Sequence, residues 1–180
     1  MQSYDYEHRK GVEVIDWERF ASLTRVLAEQ LAAAQVDVVV GIARAGLLPA
    51  TALACALRCE LFPVRVTRRV MDVITYVHPL WKVDVSPEVA GRVVAVVDEI
   101  ADTGETLALV AERTLQQGAG RVVTASLVSH SWASPAPHYV ALVTDALVVF
   151  PWDREVYTHG TWHLHPELEI ALRLQGKTLE

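Results

Sequence analysis

The chain has 180 residues, enough to bury one sizeable core, so a single domain over residues 1–180 is expected. Sixteen Lys and Arg against 22 Asp and Glu give a net charge of −6, which excludes a global cationic field for nucleic acid and leaves only a local basic pocket open. The start, MQSYDYEHRKGVEVIDWERF, lacks the apolar core of a signal peptide, and no run approaches ~20 apolar residues, so a soluble cytoplasmic protein is expected.

The first third of the chain predicts a helix, a strand and a second helix. Asp16 can cap a helix with one apolar stripe at three- and four-residue spacing. The stripe consists of Phe20, Leu23, Leu27 and Leu31. Residues 36–42, VDVVVGI, are typical of a strand buried on both faces. Gly46 then opens LLPATALACAL, where Pro49 fits a helix only in the first turn.

The remaining apolar runs predict more strands and two helices. Strands are expected over 61–67, 70–77, 92–97, 121–129, 139–143 and 146–150, with the polar piece HPLWKVDVSPEVAG connecting the second to the third. A helix over 103–117 stops at Gly118, and PELEIALRLQG predicts another near the C-terminus. Strands separated by helices imply right-handed crossovers. The fold class is therefore α/β, a Rossmann-like, mainly parallel sheet with helices on both faces.

Two groups of residues suggest redox or metal chemistry, and each has a plainer interpretation. Cys55 and Cys59 lie four apart in an apolar helical segment, which favours two buried reduced thiols over a disulfide or a metal pair. His159, His163 and His165 superficially suggest a zinc site. No cysteine or carboxylate with matching spacing completes it, so we interpret this stretch as a solvated loop.

Ligands of open α/β sheets bind at the carboxyl ends of the strands, and three polar segments fall there. They are ARAG (43–46), DEIADTGET (98–106) and SHSW (129–132). The motifs GxxxxGK[ST] and GxGxxG are absent from the sequence, so an ATPase or a dinucleotide-binding protein is disfavoured.

The stretch VVAVVDEIADTGETL places two carboxylates, Asp98 and Glu99, at the end of a buried strand, where desolvation is costly. Asp102 and Glu105 fit a capping box, which does not account for those acids or for the crowding of Thr103, Gly104 and Thr106. Small and hydroxylated residues at a helix N-terminus suit a phosphate. Neighbouring carboxylates suit a ligand that also presents hydroxyls or a divalent cation, as a ribose phosphate with Mg²⁺ does.

Three stretches resemble one enzyme family. VVAVVDEIADTGETL resembles the phosphoribosyl diphosphate signature of the type I phosphoribosyltransferases, and VVVGIARAGLLPA resembles their diphosphate loop. YVALVTDALVVFPWD (139–153) is similar to the base-binding segment of the xanthine, guanine and hypoxanthine phosphoribosyltransferases. The resemblance covers about residues 36–153 and implies the type I phosphoribosyltransferase fold, with a small hood region.

The resemblance implies a role for each matched residue. Asp98 and Glu99, with Asp102, would be the catalytic acids, the first two engaging the ribose hydroxyls directly or through Mg²⁺ and Asp102 approaching N7 of the purine. The 5′-phosphate would be held by Ala101, Asp102, Thr103, Gly104, Glu105 and Thr106. Diphosphate would be bound by Arg44 and the N–H groups of Ala45 and Gly46.

Arg68 and Arg69 lie at the base of a candidate mobile loop, residues 70–86, and would add to the diphosphate site, although surface solvation explains this arginine pair equally well. Glu99 and Ala45 are departures from the family, which often has aspartate and glycine there.

The base pocket departs further. His130 stands where related purine enzymes place a lysine that donates to a 6-oxo group, and Leu147 stands where they stack an aromatic ring. Val148 and Asp153 complete the implied base-binding set. For Trp132 and Trp152, ordinary packing is favoured over base contact.

The implied function is transfer of a phosphoribosyl group from phosphoribosyl diphosphate to a purine base, a 6-oxopurine first of all, with release of diphosphate, in purine salvage. Mg²⁺ is the implied cofactor, and a homodimer is expected by analogy, with neither nucleic acid nor membrane as a partner. Two alternatives stay open: a regulatory module that senses phosphoribosyl diphosphate or nucleotide without turnover, and an enzyme for another base such as adenine or a pyrimidine. The FPWD segment favours a purine.

Overall fold

The structure, a computed structural model, describes residues 9, 11–67, 69–70, 73–74 and 79–178. The elements in chain order are β1 (Val12–Val14), α1 (Trp17–Ala33), β2 (Val38–Ile42), α2 (Leu47–Leu57), β3 (Glu60–Thr67), β4 (Arg69–Val70), β5 (Val73–Ile74), β6 (Leu80–Val83), a 3₁₀ turn (Pro87–Val89), β7 (Val93–Ala101), α3 (Glu105–Gln116), β8 (Arg121–Ser129), β9 (Tyr139–Val143), β10 (Leu147–Val149), β11 (Glu155–Thr158), β12 (Thr161–Leu164) and α4 (Pro166–Leu174).

The chain divides into two compact units. The sheet unit is Ser22–Val143, and the terminal unit joins Met1–Ala21 to Thr144–Glu180. In the described part of the chain, no helix is long and apolar enough to cross a membrane.

A six-stranded sheet in the order β6-β3-β2-β7-β8-β9 organises the sheet unit. Five strands run parallel, and β6 pairs antiparallel with β3 at one edge. The chain passes from β2 through α2 to β3, which lies next to β2 towards one edge of the sheet. It passes from β7 through α3 to β8, which lies next to β7 towards the opposite edge. The strand order therefore reverses between β2 and β7, which makes the carboxyl ends of these two strands the topological switch point.

Helices flank both faces of this sheet. The side chains of β2 alternate between the two faces and show which helix lies on each. Val38 and Val40 lie in a buried core with Leu107 of α3. Gly41 points the opposite way, towards α2, and a Cβ added there would lie 2.7 Å from Cβ of Ala50. The predicted mainly parallel α/β sheet is thus confirmed.

Two strand predictions are corrected. The piece predicted as a polar connection contains β6, whose Trp81 pairs with Val66 and packs against the core of the sheet unit. The last predicted strand, now β10, is not part of the six-stranded sheet but pairs in parallel with β1, Leu147 opposite Val12. Leu147 belongs to a separate apolar core, in which it packs beside Leu168 of α4.

The histidine-rich stretch is a hairpin and not the predicted loop. β11 and β12 pair antiparallel around a turn in which His159 and Gly160 have φ of 52° and 84°, the left-handed values that a two-residue hairpin turn requires. His163 lies in β12, and Nδ1 of His165 accepts a 3.3 Å hydrogen bond from the N–H of Glu167 at the start of α4. Among the described residues, no three His, Cys, Asp or Glu side chains come together as a metal site.

The prediction that both thiols are buried is wrong. Cys55 is exposed and Cys59 is half-buried, both as free thiols. The reason is the orientation of α2, which turns Leu53 and Ala54 into the interior and the next residue outwards.

The predicted strand over residues 70–77 is seen only in part. Arg69–Val70 and Val73–Ile74 pair as β4 and β5, while Arg68 and residues 71–72 and 75–78 lie outside the described residues. The predicted mobile loop, residues 70–86, takes in the last residue of β4 and all of β5 and β6.

Candidate functional site

The turn after β2 touches the acidic end of β7. A Cβ added to Gly46 would lie 2.5 Å from Oδ1 of Asp98 and 2.5 Å from the carbonyl oxygen of Ile42, so glycine is the residue that permits this approach. The structure therefore brings the ARAG turn (43–46) and Asp98 together at the switch point between β2 and β7.

Asp98 and Glu99 lie within β7 rather than after it. Asp98 is half-buried, and its Oδ1 accepts a 3.0 Å hydrogen bond from the N–H of Glu99. Burial raises the pKa of Asp98 well above its usual range, and the charge of Glu99 and a side-chain hydrogen bond with it act in the same direction. A cation or a hydroxyl donor placed here would relieve this unfavourable pairing of acids.

The phosphate loop predicted over residues 101–106 runs into the N-terminus of α3. The helix begins at Glu105, with Gly104 as N-cap at φ 84°, so the predicted capping box between Asp102 and Glu105 does not form. Glu105 occupies the first helical position, two short of the one a capping box needs, and its N–H donates to Oγ1 of Thr103 at 3.4 Å. Thr103, Glu105 and Thr106 are exposed at this end of α3.

The turn after β8 packs directly on the phosphate loop. The N–H of Ser134 donates to the carbonyl oxygen of Thr103 at 2.8 Å, and a Cβ added to Gly104 would collide with the carbonyl oxygen of Pro135. The second and third predicted polar segments are thus neighbours in space.

His130 lies behind that turn. Its side chain is 0 % exposed, and its Nε2 lies 3.8 Å from Oδ1 of Asp102. The imidazole stacks on the indole of Trp132, with ring centroids 4.4 Å apart and planes at 19°, while Trp132 itself is 45 % exposed. The structure therefore brings His130 and Asp102 together, with Trp132 on the solvent side.

The ARAG turn leads into α2. The peptide bond between Ala43 and Arg44 is cis, and Arg44 is exposed. The N–H groups of Leu47 and Leu48 donate to the carbonyl oxygens of Arg44 and Ala45 at 3.1 and 3.0 Å. The helix N-terminus and the Arg44 guanidinium both favour an anion at this edge.

Three predicted base-binding residues belong to the terminal unit. Leu147 is 5 % exposed in the apolar core that β10 forms with α4, Val148 is half-buried, and Asp153 is exposed. Trp152 stacks on Phe150 at 4.7 Å and meets Phe20 edge-on at 5.4 Å, as ordinary packing predicts. Of the two arginines predicted near diphosphate, Arg68 is outside the described residues and Arg69 is in β4.

Sequence reasoning missed the stacked pair of Trp132 and His130 and the close approach of Gly46 to Asp98. Both involve residues already noted at the carboxyl ends of β2, β7 and β8, so the available signal was that neighbouring parallel strands end at one edge. The depth of each side chain had no signal in the sequence.

Residues 13–159 match the family described as phosphoribosyl transferase domain. Among solved structures, the purine phosphoribosyltransferase from Pyrococcus horikoshii Ot3 is similar at 28% identity and a TM-score of 0.72, covering 82% of this chain and 98% of that one.

Two further structures share the fold at lower identity. A hypothetical protein from Neisseria gonorrhoeae with bound ppGpp matches at 22% identity and a TM-score of 0.69, covering 94% of this chain and 98% of that one. The Helicobacter pylori xanthine-guanine-hypoxanthine phosphoribosyltransferase matches at 17% and 0.61, covering 78% and 92%. No curated protein matches the sequence at a significant level. Because the family match takes in most of the chain and agrees with the sheet, the signature stretch and the switch-point geometry, this protein belongs to the phosphoribosyl transferase domain family.

Proposed function

We propose that this protein transfers the phosphoribosyl group of phosphoribosyl diphosphate to a purine base, a 6-oxopurine first of all, and releases diphosphate. The observation that carries the proposal is the close approach of Gly46 to Asp98, which joins an arginine-bearing turn to a pair of acids at the switch point. Similarity to the Pyrococcus purine enzyme supports the purine.

In the proposed reaction, a ring nitrogen of the base forms a bond to C1′ of the ribose while the bond from C1′ to the diphosphate oxygen breaks. The electron pair of that bond leaves with diphosphate, and the proton of the attacking nitrogen passes to water. Arg44 and the N-terminus of α2 offset the charge on the leaving group, and the loop from Ala101 to Thr106 holds the 5′-phosphate against α3. Positioning and charge stabilisation, rather than a covalent intermediate on the protein, lower the barrier.

Mg²⁺ fits the donor set at this site. Magnesium is commonly held by one or two carboxylates together with substrate phosphates, and Asp98 with Glu99 offers two such carboxylates at the end of β7. The raised pKa of Asp98 is a second sign of fit, because a bound cation would favour the ionised form. When bound with phosphoribosyl diphosphate, Mg²⁺ supplies charge neutralisation at the diphosphate oxygens.

The proposed roles of Asp98 and Glu99 can be tested by measuring turnover. The purified protein is incubated with phosphoribosyl diphosphate, Mg²⁺ and a panel of free bases (hypoxanthine, guanine, xanthine, adenine and uracil) while nucleotide and diphosphate are measured. Combining Asp98→Asn with Glu99→Gln should lower kcat/KM by roughly 100-fold or more without lowering Tm, because these acids serve the ligand rather than the fold.

A matched control combines Glu88→Gln with Glu112→Gln, two exposed acids of the sheet unit outside the proposed site, and should turn over normally. Unchanged turnover in the Asp98 and Glu99 variant would overturn the proposed roles. Tight nucleotide binding without product for any base would instead favour a sensor, and in the Neisseria structure this fold does hold ppGpp.

The proposed enzyme is also expected to be a homodimer, by analogy with its relatives alone. Light scattering on the eluting peak of a size-exclusion column would measure the molar mass directly.

A further inference from the structure

The structure points to Trp132 as the aromatic surface on which the base stacks, with His130 behind it as a positioning residue. This inference rests on the proposed function, since it names the group that receives the base at the same site. It also predicts that the purine is held chiefly through its ring face, so that a preference for a 6-oxopurine does not come from a donor on His130.

Exposure separates the two aromatic residues of this turn. The His130 side chain is 0 % exposed, whereas Trp132 is 45 % exposed. A ligand that approaches the turn after β8 therefore meets the indole first. Nε2 of His130 is itself buried, so direct donation from it to a 6-oxo group would require the surrounding groups to move.

The imidazole of His130 restricts the orientation of the indole of Trp132 by stacking on it. The two rings stack at 4.4 Å and 19°, so one face of Trp132 is covered, while 45 % of the residue remains exposed to solvent. Stacking a base on such a ring contributes to affinity for any base, because each has a π face. A purine overlaps the bicyclic indole over a larger area than a pyrimidine does.

The turn that carries Trp132 is rigidly attached to the phosphate loop. His130 donates its N–H to the carbonyl oxygen of Ala101 at 3.1 Å, and Ser134 donates to that of Thr103 at 2.8 Å. Ala133, next to Trp132, is buried in the core of the sheet unit. The distance from Trp132 to the loop proposed to hold the 5′-phosphate is therefore fixed by backbone hydrogen bonds.

Asp102 connects the stacked pair to the ligand. Its carboxylate is 35 % exposed and lies 3.8 Å from Nε2 of His130. An imidazole that contacts both the indole and this carboxylate can orient the two groups together. His130 thus acts on the base through Trp132 and Asp102 without touching it.

The test measures binding and turnover in Trp132→Leu, Trp132→Phe and His130→Ala. Isothermal titration calorimetry with IMP, AMP and UMP measures binding without the need for turnover and without depending on the fluorescence of the replaced residue, and steady-state kinetics report KM for the base and for phosphoribosyl diphosphate. Trp162→Leu is the matched control, because Trp162 is 64 % exposed on the β11–β12 hairpin of the terminal unit.

Trp132→Leu should weaken IMP and AMP binding alike by roughly 10- to 100-fold and raise KM for the base similarly, with KM for phosphoribosyl diphosphate within about threefold of the parent. Trp132→Phe should retain most of the affinity, His130→Ala should weaken both purine nucleotides together, and Trp162→Leu should change nothing. UMP should bind more weakly than either purine nucleotide.

Parental affinity in Trp132→Leu would overturn the stacking role. A loss confined to IMP in His130→Ala would overturn the positioning role and restore direct donation to the 6-oxo group. If no base is turned over and Trp132→Leu still loses nucleotide binding, the stacking surface stands while the proposed enzymatic function fails.

Discussion

Among the individual residues, Gly46 and Asp98 carry the strongest physical constraints. Gly46 is required because its α-carbon lies against the carboxylate of Asp98 and the backbone of β2. The charged form of Asp98 costs free energy of folding, because folding buries this carboxyl beside a second acid. Such a cost at the carboxyl end of a central strand is typical of a binding site.

Gly46→Ala should disable the site. The new Cβ would lie 2.5 Å from Asp98 Oδ1 and from the Ile42 carbonyl oxygen, so the turn or the strand end has to shift. We expect KM for phosphoribosyl diphosphate to rise about tenfold or more, since misplacement of positioning groups is amplified in the rate.

Gly91→Ala is the control for that change. Gly91 has φ of 73° with nothing within 4 Å of an added Cβ, so alanine there costs only backbone strain, about 1–2 kcal/mol. It should lower Tm and leave KM for phosphoribosyl diphosphate unchanged. An equal effect of both variants on KM would show that Gly46 acts through stability alone.

The raised pKa of Asp98 predicts how stability depends on pH. A carboxyl that binds its proton more tightly in the folded state stabilises the fold most below the ordinary aspartate pKa of about 4, and this contribution is lost as the pH rises through the raised folded value.

Asp98→Asn should therefore raise Tm at pH 8 and flatten the dependence of the unfolding free energy on pH, measured without Mg²⁺ or phosphoribosyl diphosphate. Thermal unfolding at several pH values checks this. Adding both ligands should reduce the difference, and a lower Tm for the variant at pH 8 would contradict the sign.

The four α-helices of the described residues differ in how they begin. Asp16 caps α1 by accepting a 2.7 Å hydrogen bond from the N–H of Arg19, which confirms the predicted cap, and His165 caps α4. The two helices at the switch point start instead from glycine, which has no side chain to cap with. Gly46 and Gly104 thus place no capping side chain over these helix ends.

The segment between β6 and the 3₁₀ turn is tied to α3 by one ion pair. Arg113 donates two hydrogen bonds to the carboxylate of Asp84, and the one from Nε to Oδ1 is 2.9 Å long. This interaction lowers the pKa of Asp84 to about 2. The stabilisation is present above the ordinary aspartate pKa and is lost as the pH falls towards 2.

Arg113→Met should lower Tm slightly at neutral pH and low salt, because both side chains are solvent-exposed and such pairs contribute little. The difference from the parent should shrink at 1 M NaCl and at acid pH, and turnover should be unchanged. A loss of Tm that is insensitive to salt would show that packing of the arginine stem, not the ion pair, is responsible.

Short strands were the least predictable elements. β2, β7 and β8 were predicted because buried parallel strands are continuous apolar runs. β6, β11 and β12 were missed because a strand with one exposed face in a polar segment resembles a loop. The His159-Gly160 turn was the one local signal for the hairpin.

Over the whole molecule, the family match covers residues 13–159 and so includes residues of both compact units. Within the sheet unit, the strand order accounts for the arrangement: the connections leave β2 and β7 in opposite directions, and these parallel neighbours end side by side. The turn after β2 and the acidic end of β7, some fifty residues apart in sequence, are thereby in contact at Gly46 and Asp98.

The sequence by itself determined the fold class, the family and the stretch from Asp98 to Thr106, because apolar periodicity is local and the signature is contiguous. Only the tertiary structure decided that β10 leaves the main sheet to pair with β1, that no capping box forms at α3, and that Trp132 covers His130. These outcomes depend on which distant segments compete for the same partner and on how deep each side chain lies. Burial and pairing across long sequence separations are set by the packed chain as a whole, and no local pattern contains them.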